Sequence, residues 1–124
     1  MVGVGNLGQA LLGYQGFQGQ GFSVLAAFDI DQRVVGTEVC GLVVYHISEI
    51  KEIVREKAIQ LAILAVPADA ALMAAEQIVD SGITGVLNFA PVTLNLPKSV
   101  SVVGVDLAME LEQLAFAVVS KSEK

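Results

Sequence analysis

The fold of this chain is decided by a stretch at its start, residues 3–8, which read Gly3-Val4-Gly5-Asn6-Leu7-Gly8. In this G-x-G-x-x-G spacing, Gly3 permits a tight turn out of a strand, and Gly5 leaves the backbone open to a ligand. Gly8 lets the following helix pack close to the sheet. That helix begins near Asn6, so its free N–H groups and positive dipole end would face bound phosphate groups. The stretch therefore predicts the phosphate-binding turn of a dinucleotide-binding domain.

An acidic residue at the end of the next strand supports this prediction. Residues 22–28 form an apolar run interrupted only by Ser23, typical of a buried parallel strand, and Asp29 ends it about 20 residues after the turn. A carboxylate at this place accepts hydrogen bonds from the adenosine ribose and would repel the 2′-phosphate of NADP, so we favour NAD(H) as the cofactor. Asp31 is the alternative ribose partner. Arg33 complicates the choice, because an arginine can pair with a 2′-phosphate.

The rest of the chain alternates between predicted strands and helices. Apolar runs predict strands at residues 2–4, 22–28, 43–45, 61–66, 85–89 and 100–105. Helical spacing predicts helices at residues 7–14, 49–58, 70–81 and 107–119. We expect Ser48 and Asp69 to cap the second and third helices, and Gly82 to lie just past the third. Glycines after residue 12 predict a loop.

This alternation predicts an α/β fold, a Rossmann-type doubly wound parallel sheet in three αβα layers with strand order 3-2-1-4-5. The first strand is truncated at the N-terminus, because the glycine turn begins at Gly3. We therefore expect sequence to be missing upstream of Met1, through truncation, fragmentation or a misassigned start. Residues 1–119 form the predicted cofactor-binding domain, which includes helix 107–119, and residues 120–124 form a tail.

The composition indicates a single domain with an apolar surface that a partner covers. Hydrophobic residues make up 54% of the 124 residues and charged residues only 16%. The net charge of −6 and the scattered Lys and Arg argue against strong nucleic-acid binding by this chain alone. Without a membrane-length apolar run or a signal peptide, we expect a cytoplasmic protein. The single cysteine, Cys40, and the single histidine, His46, are interpreted as structural, with no metal site.

Several motifs together resemble the Rex family of redox-sensing transcriptional repressors. They are GVGNLGQALL, GF-x3-AAFDID followed by VG, AVP at residues 65–67, LNFAP at residues 87–91, and VDLAMELEQLAF. The resemblance runs from Gly3 to about Val119. The AVP and LNFAP motifs follow predicted strands at the ligand side of an open α/β sheet. We therefore expect them to contribute cofactor-binding residues, namely Val66, Pro67, Asn88, Ala90 and Pro91.

The resemblance implies a bacterial homodimer that senses the NADH/NAD⁺ ratio and exchanges its C-terminal helix between subunits. It also implies that operator DNA is bound only through a winged-helix domain, which this chain lacks. Tyr14 matches a family tyrosine near the nicotinamide, and the alternative interpretation is a core aromatic on an amphipathic helix. Asp106 and Leu107 match the start of the exchanged helix, where the apolar residue reaches the partner's nicotinamide pocket, and Asp106 is equally well read as a helix N-cap.

The last predicted helix is apolar over most of its circumference. One stripe consists of Leu107, Leu111, Leu114 and Val118, and only Glu110, Glu112 and Gln113 give a polar edge. Such a helix must be buried on most sides, so a second subunit is expected to cover it.

Three functions fit the residues. The favoured one is the sensing domain of a redox-responsive repressor, which needs a cofactor site and no catalytic residue. An NAD-dependent oxidoreductase needs a proton donor in a substrate pocket, and neither His46 nor the lysines lie where one is expected. A CoA-binding domain of the acyl-CoA ligase type would share the glycine turn, but Asp29 suits a ribose diol better than the 3′-phosphorylated ribose of CoA.

Overall fold

The computed structural model describes residues 1–122 and contains six strands and five α-helices in that range. The strands are β1 (Ala27–Asp29), β2 (Glu38–Val39), β3 (Leu42–His46), β4 (Leu61–Leu64), β5 (Gly85–Asn88) and β6 (Ser101–Gly104). The helices are α1 (Asn6–Leu12), α2 (Gly16–Gly19), α3 (Ile50–Lys57), α4 (Ala68–Asp80) and α5 (Leu107–Ser122), with a 3-10 turn at Ile47–Glu49 before α3.

A single residue, Val2, joins two groups of three strands into one sheet. Val2 forms parallel bridges with Phe28 of β1 and Leu64 of β4. The groups run β1-β3-β2 and β4-β5-β6, and every pairing is parallel except that of β2 with β3. Counting Val2 as the first strand, the order of the parallel strands is 3-2-1-4-5-6. The predicted order 3-2-1-4-5 counted residues 85–89 and 100–105 as the fourth and fifth strands, so it agrees with the structure only when the short strand at 43–45 is inserted as the third. Val2 is the one residue of the described chain that stands in the place of the predicted first strand.

One face of the sheet is covered by α3 and α4. Alternate strand residues point to this face, which is why Ala62 and Leu64 are buried there while Leu61 is exposed. They pack in one cluster with Ile50 of α3 and Ile78 of α4. Small residues on the inner side of α4, such as Ala74 and Ala75, allow this helix to lie close to the strands.

The opposite face is covered over only half of its width. Val4, Ala27 and Val44 form a second cluster against Leu11 and Leu12 of α1. Over β4, β5 and β6 this face has no helix of the same chain, because the β5–β6 connection, residues 89–100, contains none. The third layer of the predicted arrangement is therefore incomplete within one chain.

Several predicted element bounds were wrong. Residues 22–26 are not part of a strand, and Phe22 and Leu25 are about half exposed, because β3 offers partners only to Ala27–Asp29. Ser48 does not cap α3. Its backbone N–H is instead accepted by the His46 side chain at the start of the 3-10 turn.

The helix ends differ in smaller ways. Pro67 rather than Asp69 is the N-cap of α4, and Asp69 lies in its first turn. The short helix α2 falls where a glycine loop was predicted. The last helix continues to Ser122, into the predicted tail, and residues 123–124 of that tail lie outside the described residues.

Candidate functional site at the carboxyl edge of the sheet

The glycine turn leaves the central strand at the carboxyl edge of the sheet. Gly3 has a φ of +100°, a left-handed value that L side chains rarely adopt, and its N–H donates to the Phe28 carbonyl at 2.8 Å. A Cβ on Gly3 would overlap the Ala65 carbonyl, and one on Gly8 would overlap the Gly3 carbonyl. These two glycines therefore serve the close packing of the turn itself.

Gly5 differs from the other two glycines of the motif. It is exposed, and nothing lies within 4 Å of the position that a Cβ would take. The backbone here is open to a ligand, as the sequence predicted. The neighbouring Asn6 is exposed, Leu7 is half-buried, and the Gln9 side-chain amide donates to the Val4 carbonyl at 3.1 Å, which stabilises the turn.

Asp29 is held against this turn by hydrogen bonds. Its Oδ2 accepts from the Val4 backbone N–H at 2.7 Å, and its Oδ1 accepts from the N–H groups of Ile30 and Asp31 at 2.7 and 3.0 Å. The turn and the acid predicted from the sequence are thus in direct contact. A carboxylate oxygen accepts two or more hydrogen bonds, so Oδ2 retains capacity for a hydroxyl donor.

Asp31 and Arg33 form an ion pair at the end of β1. The Arg33 Nε donates to Asp31 Oδ1 at 3.1 Å, its Nη2 donates to Oδ2 at 2.9 Å, and its backbone N–H donates to Oδ1 at 2.9 Å. The hydrogen bond from Arg33 holds the pKa of the Asp31 carboxyl below its usual value, and the pKa of Arg33 is raised by the same pair. Asp31 is therefore engaged by Arg33.

The AVP and LNFAP segments lie at the carboxyl ends of β4 and β5. The Phe89 N–H donates to the Leu64 carbonyl at 2.8 Å, which joins the two strand ends. Val66 is half-buried and Pro67 is exposed. The end of β4 borders the glycine turn, because a Cβ on Gly3 would meet Ala65 and Val66, and the end of β5 lies beside the end of β4.

Asn88 is buried and uses its side chain within its own segment. Its Oδ1 accepts from the Ala90 N–H at 2.9 Å, and its Nδ2 donates to the Val92 carbonyl at 2.9 Å. Ala90 is buried, whereas Pro91 is exposed. Asn88 thus orders the loop that follows β5. Because both polar atoms of its side chain are used there, the predicted contact with a cofactor would be made by other residues of the loop.

A small apolar cleft between β1 and α4 was missed by the sequence prediction. Asp29 borders it, together with Ile30, Val66, Ala70 and Met73. Met73 is about half exposed although it belongs to a largely apolar helix. The signals in the sequence that could have identified this cleft are a methionine on the predicted third helix and an isoleucine directly after Asp29.

Tyr14, Asp106 and Leu107 are exposed. The Tyr14 ring lies edge-on to Phe17, with ring centroids 4.9 Å apart, just after α1. Asp106 Oδ1 accepts from the Met109 N–H at 3.0 Å, so Asp106 is the N-cap of α5, one of the two readings of the sequence. The N–H of Val105 donates to the Asn88 carbonyl at 2.9 Å, which places the start of α5 beside the LNFAP segment.

His46 ends β3 at this edge, and its Cα pairs in register with that of Asp29, whereas the sequence analysis did not expect it at the end of a strand. Its Nδ1 lies 2.9 Å from the Ser48 Oγ. Among residues 1–122, no cluster of His, Cys, Asp and Glu could hold a metal ion. Cys40 is a free, exposed thiol at the turn between β2 and β3. None of the described helices is long and apolar enough to cross a bilayer.

Comparisons with known proteins agree with this geometry. Residues 1–92 match the family model of the CoA binding domain. The redox-sensing transcriptional repressor Rex of Rhodopirellula baltica is 47% identical over 118 residues, which cover 95% of this chain and 50% of that protein. The Rex of Streptomyces coelicolor is 43% identical over 116 residues, covering 94% and 45%. The chain thus spans about half the length of these relatives.

Solved structures give the same picture. RSP, a Rex-family repressor, matches with a TM-score of 0.90 and 30% identity over 98% of this chain and 58% of that one. RSP has also been solved with β-NADH, at a TM-score of 0.90, and with β-NAD⁺ and operator DNA, at 0.89, both again 30% identical. These matches cover 98% of this chain and 59% and 56% of those chains. The predicted fold class and the predicted similarity to Rex repressors are confirmed.

Proposed function

The chain belongs to the CoA-binding domain family, and from this membership and its similarity to Rex repressors we propose that it is the NAD(H)-binding, redox-sensing domain of a bacterial transcriptional repressor. The observation that carries the proposal is the contact between the glycine turn and Asp29. The Val4 N–H to Asp29 Oδ2 hydrogen bond sets a carboxylate directly beside a turn whose Gly5 backbone is open. This is the pairing that a dinucleotide requires.

The residues present fit such a cofactor. Gly3, Gly5 and Gly8 with Val4, Asn6 and Leu7 would hold the pyrophosphate, and Asp29 would hold the adenosine ribose. Val66 and Pro67 would border the cofactor, with Ala90 and Pro91 on the loop that Asn88 orders. When bound, NAD(H) supplies a nicotinamide ring that is positively charged when oxidised and neutral when reduced.

We also propose that the sensing unit is a homodimer assembled through α5. Seven large apolar side chains on this helix are more than half exposed in one chain: Leu107, Met109, Leu111, Leu114, Phe116, Val118 and Val119. The uncovered face of the sheet carries an apolar groove of about 590 Å³, bordered by Phe22, Leu61 and Val103 among others. A helix that is apolar over most of its circumference and a groove without a helix complement each other, so α5 of a second copy is the proposed cover.

In that dimer, Asp106 and Leu107 would reach the nicotinamide region of the partner, opposite Tyr14. The two charge states of the nicotinamide would then favour different dimer arrangements, since a ligand shifts an equilibrium only through its different affinity for the two states. No residue of this chain is assigned a catalytic role. Operator DNA, which RSP binds, would be contacted in the cytoplasm by a winged-helix part of the full-length repressor rather than by this acidic domain.

The family model keeps CoA as a second candidate ligand, so the test compares ligands directly. The chain would be titrated with NADH, NAD⁺ and CoA by calorimetry, with ADP-ribose as a control that lacks the nicotinamide. We expect NADH to bind tightly, and we expect different affinities for NADH and NAD⁺. Tighter binding of CoA than of either nicotinamide cofactor would refute the proposal. Steady oxidation of NADH in the presence of small carbonyl compounds would favour an oxidoreductase instead.

A further inference from the structure

Arg33 lies close in sequence to Asp29, the proposed ribose-binding acid, yet the charge of Arg33 is already paired with that of Asp31. NADP-binding domains use an arginine in this region to accommodate the 2′-phosphate. Here the only such residue, Arg33, directs two of its side-chain nitrogens at the Asp31 carboxylate, at 3.1 and 2.9 Å. Asp31 occupies the Nε and Nη2 edge of the guanidinium and offsets its charge, so pairing with Asp31 competes with pairing of this edge to a phosphate.

The backbone around this pair holds it in place. Asp29 Oδ1 accepts from the Asp31 N–H, so the two acids follow one another on the same turn. The Asp31 carbonyl then accepts from the N–H groups of Val34 and Val35, and Asp31 Oδ1 accepts from the Arg33 N–H. Asp31 is thus tied to the turn on both sides, while the Arg33 side chain is 89% exposed and is held only at its tip, by Asp31.

We propose that Asp31 is a specificity-determining residue, whose ion pair with Arg33 withholds the guanidinium from a 2′-phosphate and so excludes NADPH together with Asp29. The proposal rests on the proposed NAD(H) function. It assigns the two acids different actions: Asp29 repels the phosphate at the ribose, whereas Asp31 neutralises Arg33, a cation that could offset this repulsion. NADH carries a 2′-hydroxyl in place of the phosphate, so its affinity is insensitive to the state of Arg33.

The test is the variant Asp31→Asn, which keeps an oxygen acceptor for the Arg33 N–H and removes the charge. We expect NADPH affinity to rise about fivefold, the size of an exposed charge–charge coupling, and to rise further at low salt. NADH affinity should stay unchanged. In the double variant Asp31→Asn/Arg33→Gln, the gain in NADPH affinity should disappear. The Arg33 Nε–H resonance of the cofactor-free protein should also shift in Asp31→Asn, which reports loss of the pair without any ligand.

Glu56→Gln is the matched control, because it removes one exposed negative charge at the end of α3, which leads into the opposite edge of the sheet. An unchanged NADPH affinity in Asp31→Asn would overturn the proposal. A gain that survives in the double variant, or an equal gain in Glu56→Gln, would overturn it as well. Failure of the unsubstituted chain to bind NADH is a different result, and it would refute the proposed function instead.

Discussion

Asp29 serves the protein's own backbone as well as the proposed ribose. Its two oxygens accept three backbone N–H groups, one of them from the glycine turn. Removing the side chain would therefore both delete a ribose partner and loosen the turn. For Asp29→Ala we expect NADH affinity to fall by about 1–3 kcal/mol, the usual value of a lost charged hydrogen bond. Calorimetric titration with NADH and NADPH measures the loss.

Asp29→Asn separates the two contributions, because the amide oxygen still accepts one or two of the backbone N–H groups while the charge is gone. We expect this variant to lose most of the preference for NADH over NADPH while unfolding at nearly the same urea concentration. Equal affinity of the unsubstituted chain for the two cofactors would contradict the role of Asp29.

The glycines of the turn predict opposite outcomes on substitution. Gly5→Val meets no atom of the protein, so we expect a folded chain that no longer binds NADH, because the side chain occupies the space above the open backbone. Gly8→Ala forces a Cβ against the Gly3 carbonyl, so we expect a destabilisation of about 1–3 kcal/mol from overpacking. Urea unfolding and NADH titration of both variants measure this contrast. Unchanged NADH affinity in folded Gly5→Val would contradict the assignment of the turn.

At the scale of elements, α5 is the helix whose role is most easily tested. Replacing Leu111 and Leu114 by Asp places two charges in its apolar stripe, and we expect the proposed dimer to dissociate at micromolar concentration, because burying unpaired charges costs several kcal/mol. Gln113→Asp adds the same type of charge on the polar edge and should leave the dimer intact. Sedimentation velocity distinguishes the two. A monomeric unsubstituted chain, or a dimer that survives removal of residues 107–124, would refute the helix exchange.

The elements that the sequence predicted well are those with a local physical signal. The turn at Gly3 and Gly8 follows from steric demands within a few residues, and α4 follows from a long periodic pattern that ends before Gly82. The order of the parallel strands follows from the alternation of strands and helices, which leaves few topologies.

The elements that were predicted wrongly depend on distant partners. The apolar run from Phe22 resembles a strand, but a strand needs a neighbouring strand to pair with. β3 pairs with this run only from Val44 onward, which leaves residues 22–26 without a partner strand. Ser48 was a reasonable cap by residue type. In the structure its hydroxyl and its backbone N–H both pair with the His46 ring, and Glu49 is the N-cap of α3. At the site, the Asp31–Arg33 pair was ambiguous in sequence, because nothing local decides whether an arginine pairs with a neighbour or a ligand.

For the whole molecule, charge decides the expected behaviour toward DNA. The net charge of −6 and the dispersed Lys and Arg give no basic surface on which several phosphates could be neutralised together. We expect the 124-residue chain alone to give no sequence-specific gel shift with operator DNA, with or without NADH. A specific shift that weakens with added salt would contradict this expectation.

The position of the glycine turn has a mechanical consequence. The turn follows Val2, which bridges Phe28 of β1 on one side and Leu64 of β4 on the other. A ligand that contacts the turn, Asp29 at the end of β1 and Val66 after β4 would therefore touch both halves of the sheet. We expect such a ligand to restrain the two halves relative to each other, so its binding at one edge would alter the stiffness of the sheet face on which a second copy is proposed to dock.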